Sequence, residues 1–176
     1  PKEILKNKIA IFGLGYVGLP LAVELGKKFD TIGYDINFKR IKDLNKGLDS
    51  TKEFSKEYIK SSKNLIITNQ INKLTDRSIF IITVPTPIYK NKKPDFRNLI
   101  DATMVIAKII KKNSIIIYES TVYPGLTEEI CIPIIEKKSK LIANKDFFYG
   151  YSPERINPGD KKHQLKNIKK IISGSN

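Results

Sequence analysis

Short apolar runs alternate with segments of helical periodicity along the chain. Stretches rich in β-branched and aromatic residues at 8–12, 31–34, 65–68, 79–84, 115–119, 147–151 and 168–172 read as strands. Two of them, Ile79-Phe80-Ile81-Ile82 and Ile115-Ile116-Ile117-Tyr118, are apolar without a break, as strands covered on both faces should be. Between them, residues 16–27, 37–46, 53–61, 98–112 and 126–138 predict helices. In the fourth, Leu99, Ala102, Ile106, Ile109 and Ile110 fall on one face. Gly47 is placed to end the second helix, and Pro133 forces the last one to start late or kink. Strand alternating with helix predicts an α/β fold: a doubly wound, mainly parallel sheet with helices on both faces. No repeat or low-complexity stretch interrupts the pattern, so residues 1–176 read as one domain.

The first two strands bracket the most specific local signal. Lys8 to Phe12 runs into Gly13-Leu14-Gly15-Tyr16-Val17-Gly18, which opens the first helix, and the second strand ends on Asp35. Strand, glycine turn, helix, strand and acid follow the order of a Rossmann-like dinucleotide-binding unit. Gly13 allows the tight turn, Gly15 lets backbone approach a pyrophosphate, and Gly18 lets the helix pack closely on the strand. The N–H groups at the helix start carry partial positive charge and suit phosphate. A lone glycine turn is weak evidence; here Asp35 adds to it by lying 17 residues after Gly18, near the offset expected for a ribose-binding acid. A carboxylate there accepts from a ribose 2′-hydroxyl and repels a 2′-phosphate, favouring NAD over NADP. Lys39 and Arg40 pull slightly the other way, and Lys39 reads as a solvated helix face.

Three later loops leave the carboxyl ends of strands, where open α/β sheets bind ligands. They are Thr83-Val84-Pro85-Thr86-Pro87, Glu119-Ser120-Thr121-Val122-Tyr123-Pro124-Gly125, and Tyr149 to Asp160. Proline, glycine and hydroxyl residues also serve loops for purely conformational reasons, so Thr86 and Thr121 have capping or turn-tying as the plainer reading. Glu154 is a candidate general base, with an ion pair to Arg155 or a nearby lysine as the competing account. His163, the only histidine, sits among lysines and reads as a surface residue. Cys131, the only cysteine, lies in an apolar helix and reads as packing.

The formal charge is +14, from 32 basic and 18 acidic residues. The lysine pairs are scattered and no RNA-binding or zinc-finger motif is present, so nucleic acid is not the expected partner and no metal site is expected. A positive field would still attract anionic nucleotides. No apolar run reaches the roughly 18 residues of a membrane span. Without a signal-peptide pattern and with one cysteine, a cytoplasmic location is expected.

Five segments in order resemble the UDP-glucose/GDP-mannose dehydrogenase family. These are Ile11 to Pro20, Asp35 with Arg40, Val84-Pro85-Thr86-Pro87, Glu119-Ser120-Thr121-Val122, and Ser152-Pro153-Glu154-Arg155. The wording of the last two is most similar to the branch that oxidises UDP-N-acetylglucosamine or UDP-N-acetylgalactosamine for bacterial surface polysaccharides, the Vi-polysaccharide type. The family oxidises C6 of a nucleotide sugar to a carboxylate in two NAD-dependent steps, with a cysteine that holds a thioester. The resemblance implies that Gly13, Leu14, Gly15, Tyr16, Val17 and Gly18 cradle the pyrophosphate. It implies that Asp35 holds the adenosine ribose and Arg40 lies against the adenosine end. Val84, Pro85, Thr86, Ser120 and Thr121 would follow the cofactor towards the nicotinamide. Glu154, with Thr121, would order or activate water near the sugar's C6. It covers the family's NAD domain only; the nucleophilic cysteine, the central helix, the sugar-binding domain and the homodimer core are expected outside this segment. The chain alone is therefore expected to bind NAD without turning over UDP-sugars. Two alternatives remain open: an NAD-binding sensor module, which has no need of Thr121 and Glu154, and a different Rossmann dehydrogenase, against which the Ser-Pro-Glu-Arg segment counts.

Overall fold

A computed structural model describes residues 8–89, 91–154 and 172–175. The elements run β1 (Ile9–Phe12), α1 (Gly18–Gly26), β2 (Thr31–Tyr34), α2 (Phe38–Asn45), α3 (Lys56–Lys60), β3 (Leu65–Thr68), β4 (Ile79–Ile82), α4 (Arg97–Ile109), β5 (Ser114–Tyr118), α5 (Ile132–Ser139), β6 (Phe147–Tyr151) and β7 (Ser173–Gly174). A 3₁₀ turn, Ile71–Leu74, precedes β4, and a π-helical turn, Thr127–Cys131, precedes α5. The sheet order is β3-β2-β1-β4-β5-β6-β7. All pairings are parallel except β6 with β7, where Gly150 faces Gly174 and Tyr151 faces Ser173.

Side-chain alternation explains why the apolar strands need cover on both sides. Ala10 and Phe12 of β1 join Phe80, Ile82, Ile116 and Tyr118 in a core closed by α4 and α5. Ile9 and Ile11 point to the opposite face and pack with Leu19, Ala22 and Val23 of α1 and Ile41 and Leu44 of α2. The doubly wound architecture expected from the sequence is thus the observed one. No helix among the described residues is long and apolar enough to cross a membrane.

Boundaries differ where local chemistry intervenes. β4 stops at Ile82 rather than 84, because Thr83 turns its hydroxyl to donate to Phe12 O (3.0 Å) and Gly13 O (2.8 Å). α3 starts at Lys56 rather than 53: Ser55 caps it, and the Asp49 carboxylate takes the Glu53 and Phe54 amides, each at 3.1 Å. Pro133 is accommodated in the first turn of α5 after the widened turn, where Ile132 N donates back to Thr127 O. That is a late start, with a π turn in place of a kink. The strand expected at 168–172 falls, apart from Ile172, outside the described residues; the pairing seen is the short β7 just after it. Cys131 is buried with Tyr118 and Ile135, and burial pushes its thiol up, which fits packing rather than nucleophilic chemistry. His163 and Arg155 lie outside the described residues.

Candidate functional site

β1 and β4 are neighbours, yet the chain leaves them in opposite directions, first to β2 and β3 and later to β5 and β6. The crevice at their carboxyl ends is the switch point where doubly wound sheets bind ligands. It holds a cleft of about 520 Å³, within the usual range for small-molecule sites.

Three glycines shape its floor in three ways. Gly13 sits at φ +90°, and its N–H donates to Tyr34 O at 2.8 Å. Gly18 is wedged against Gly13 O and the Thr83 hydroxyl, so α1 lies as close to the strand as backbone allows. Gly15 is exposed, and a Cβ built on it would meet nothing within 4 Å. α1 carries no acid in its first turn and no side-chain cap, whereas α2 and α3 are capped by Asn37 and Ser55 and α3 also has Glu57 in its first turn. Open space over Gly15 in front of an uncapped helix start suits a diphosphate.

Across the turn, Asp35 takes Leu14 N at 2.8 Å on one oxygen and Asn37 N at 2.8 Å on the other. Each oxygen retains a lone pair for a further donor. Burial first, and then the Asp35 charge, hold the neighbouring Tyr34 phenol above its ordinary value, so it stays neutral. Arg40 is only 8% exposed. Its Nε donates to Leu14 O at 2.9 Å, and its Nη1 donates to Asp49 Oδ1 at 2.6 Å and Ser50 Oγ at 2.9 Å. Its Nη2 is buried and has no hydrogen-bond partner among the described residues. Lys39 is exposed, as expected, but also lines the cleft.

Asp49 accepts five hydrogen bonds, from Arg40 Nη1, Thr51 N, Thr51 Oγ1, Glu53 N and Phe54 N. Burial raises its pKa, but the Thr51 hydroxyl, the Arg40 guanidinium and the Thr51 amide together bring it below the ordinary carboxylate value. A carboxyl whose folded pKa is depressed stabilises the fold fully above its unfolded pKa, near 4, and loses that contribution as pH falls through the folded value. Asp76, Asp95 and Asp146 are shifted in the same direction. Thermal melts are therefore expected to give a flat Tm from about pH 8 to 5 and a decline below about pH 4. A Tm that rises on acidification would contradict the pairing of Asp49 with Arg40.

Of the residues singled out in the sequence, Gly13, Leu14, Gly15, Asp35, Arg40, Val84 and Pro85 line this cleft. Tyr16, Val17 and Gly18 continue the turn into α1, with Val17 and Gly18 buried. Thr86 donates its hydroxyl to Thr121 O at 2.8 Å, and Ser120 donates to Val84 O at 2.8 Å, so the loops after β4 and β5 are tied together beside the cleft. Glu154 is part-buried three residues beyond β6 and is not in the cleft wall. Ser50 and Thr51, and Asn98, Asp101, Ala102 and Val105 of α4, line the cleft without having been expected to. Their signal was present for α4: positions 98, 101 and 105 fall at helical spacing beside the core stripe, and Ala102 sits on the edge shared by both.

Residues 7–176 match the family model described as the UDP-glucose/GDP-mannose dehydrogenase family, NAD binding domain. The chain is 55% identical over 168 residues to UDP-N-acetyl-D-glucosamine 6-dehydrogenase of Pseudomonas aeruginosa, and 53% identical over 168 residues to that of Salmonella typhi. The match covers 96% of this chain in both cases, and the chain spans 40% of the length of either relative. Among solved structures, UDP-D-ManNAc dehydrogenase from Pyrococcus horikoshii superposes with a TM-score of 0.85 at 32% identity, over 95% of this chain and 41% of that one. NDP-N-acetyl-D-galactosaminuronic acid dehydrogenase from Methanosarcina mazei Go1 gives 0.87 at 30% identity, over 98% and 41%. The open glycine turn, the acid across from it and these relationships agree: the chain belongs to the UDP-glucose/GDP-mannose dehydrogenase family, as its NAD-binding domain.

Proposed function

We propose that this chain is the cofactor half of a nucleotide-sugar 6-dehydrogenase that oxidises C6 of a UDP-N-acetylhexosamine to the uronic acid for surface-polysaccharide biosynthesis. The observation that carries the reading is the pairing of an open Gly15 turn with Asp35 at the end of the next strand, joined through Leu14 N at 2.8 Å. In this reading the Gly13–Gly18 backbone faces the pyrophosphate and Asp35 receives a ribose hydroxyl. Arg40 backs the adenosine end, and Val84 and Pro85 form the wall opposite. Thr86, Ser120 and Thr121 carry the site towards the nicotinamide, with Thr121 and Glu154 ordering water near the sugar's C6. When bound, NAD supplies the two-electron acceptor. The sugar substrate is supported by the identity to the Pseudomonas aeruginosa enzyme; a cytoplasmic location and a homodimeric full-length protein belong to the same proposal.

A domain graft tests it. Placing this chain in that enzyme, in place of the matching 168 residues, is expected to give a protein that reduces NAD when supplied with UDP-N-acetyl-D-glucosamine. Glu154→Gln in the graft is expected to slow NADH formation at least about a hundredfold, the ordinary contribution of a positioned acid or base. A graft that folds and binds NAD, but reduces none with any UDP-N-acetylhexosamine, would remove the substrate assignment.

A further inference from the structure

Two features of this cleft argue for opposite cofactors: a carboxylate closing β2 selects the 2′-hydroxyl of NAD, and a nearby arginine is the usual receptor for the 2′-phosphate of NADP. Arg40 is the only buried cation among the described cleft residues, and two of its three guanidinium nitrogens, Nε and Nη1, are engaged within the protein, by Leu14 O, Asp49 and Ser50, while Nη2 is buried with no partner among the described residues. Asp49 is itself closed to solvent, with a side-chain exposure of 0%, and is fixed by four further donors from residues 51–54. We propose that Asp49 is a specificity-determining residue for the cofactor: by pairing with Arg40 it neutralises and immobilises the guanidinium that would otherwise receive a 2′-phosphate. With that pair neutral, the remaining charged side chains of the cleft are Asp35, Asp43 and Asp101 against Lys39. The cleft is thus locally acidic within a chain of net charge +14. A 2′-phosphate brings about −1.5 to −2 charges into that field, whereas a ribose hydroxyl brings none. The inference rests on the reading that NAD lies in this cleft.

The test is calorimetric titration of NAD and NADP into the unmodified chain, Asp49→Asn, Arg40→Gln and the double variant. The unmodified chain is expected to prefer NAD by about a hundredfold or more. Asp49→Asn, which keeps an oxygen acceptor but removes the charge, is expected to narrow that preference about tenfold by tightening NADP binding. In the Arg40→Gln background the same change is expected to narrow it little, because no guanidinium is left to release. Should Asp49→Asn not fold, Ser50→Ala removes the second acceptor of Nη1 and is expected to narrow the preference about two- to threefold. A preference unchanged in the folded variants, or affinities for both nucleotides falling in step as a packing defect would make them, overturns the inference. Failure of the unmodified chain to bind either nucleotide overturns the cleft reading, and this inference with it.

Discussion

Alanine at Gly18 is expected to destabilise the domain by about 3–5 kcal/mol while alanine or valine at Gly15 leaves it folded and removes NAD binding. A Cβ at position 18 would drive into Gly13 O and the Thr83 hydroxyl, with Gly13 C only 3.0 Å away. Neither neighbour can yield cheaply. The Gly13 carbonyl belongs to a turn at φ +90°, and the Thr83 hydroxyl is held by Phe12 O and Gly13 O. α1 must lift from the sheet instead, loosening Leu19, Ala22 and Val23, all 0% exposed. Against a total stability of about 5–15 kcal/mol, that is a Tm lowered by roughly 10–15 °C. Position 15 lies in the same motif but in open space, with no atom within 4 Å of a built Cβ and no left-handed backbone. Its substitution is expected to shift Tm by no more than about 2 °C, and to weaken NAD at least about a hundredfold by filling the volume over the uncapped helix start. Melting curves and calorimetry on the two variants separate the roles. A Gly15→Val protein that binds NAD normally would show that the pyrophosphate does not cross this turn.

The contrast between these glycines shows what the sequence makes legible. Spacing identifies the turn and assigns each glycine a job, because strand, turn and helix are contiguous and local geometry governs them. The strands at 31–34, 65–68 and 147–151 are equally legible, since short runs dominated by β-branched and aromatic residues have few other places to go, even with Gly33 and Gly150 among them. What stays hidden depends on partners distant in sequence. Arg40 reads as a cation free to meet a ligand until Asp49 and Leu14 O are seen to hold it in the cleft wall. Residues 53–55 read as helix until Asp49 is seen to take the amides of 53 and 54. Ala102 reads as core, and it is buried, yet α4 is placed so that Ala102 and Val105 also face the cleft. The net charge of +14 suggests a positive field, but the charged side chains lining this cleft are three aspartates against Lys39 and an Arg40 already paired with Asp49. Composition averages over a surface; a site samples a few square nanometres of it.

Asp35→Ala is expected to cost about a hundredfold in NAD affinity, through two effects that can be told apart. One carboxylate oxygen takes Leu14 N and the other Asn37 N, both at 2.8 Å, so the side chain fastens the glycine turn to the entry of α2. An ionised carboxylate has about four acceptor positions, which leaves room for a ribose hydroxyl beside the two amides. Each hydrogen bond to a charged group contributes about 1.5–3 kcal/mol, so losing the ribose contact alone is worth about tenfold or more. Losing the brace on Leu14 N adds the remainder by letting the turn relax. Asp35→Asn has one oxygen for two amides, and is expected to fall between, at about tenfold weaker. Titration with 2′-deoxy-NAD divides the two effects. If the carboxylate grips the 2′-hydroxyl, the unmodified chain binds the deoxy cofactor about tenfold more weakly than NAD, and Asp35→Ala barely distinguishes the two. If Asp35 acts only by bracing the turn, the ratio of deoxy-cofactor to NAD affinity is the same in both proteins, and the ribose assignment fails while the brace remains.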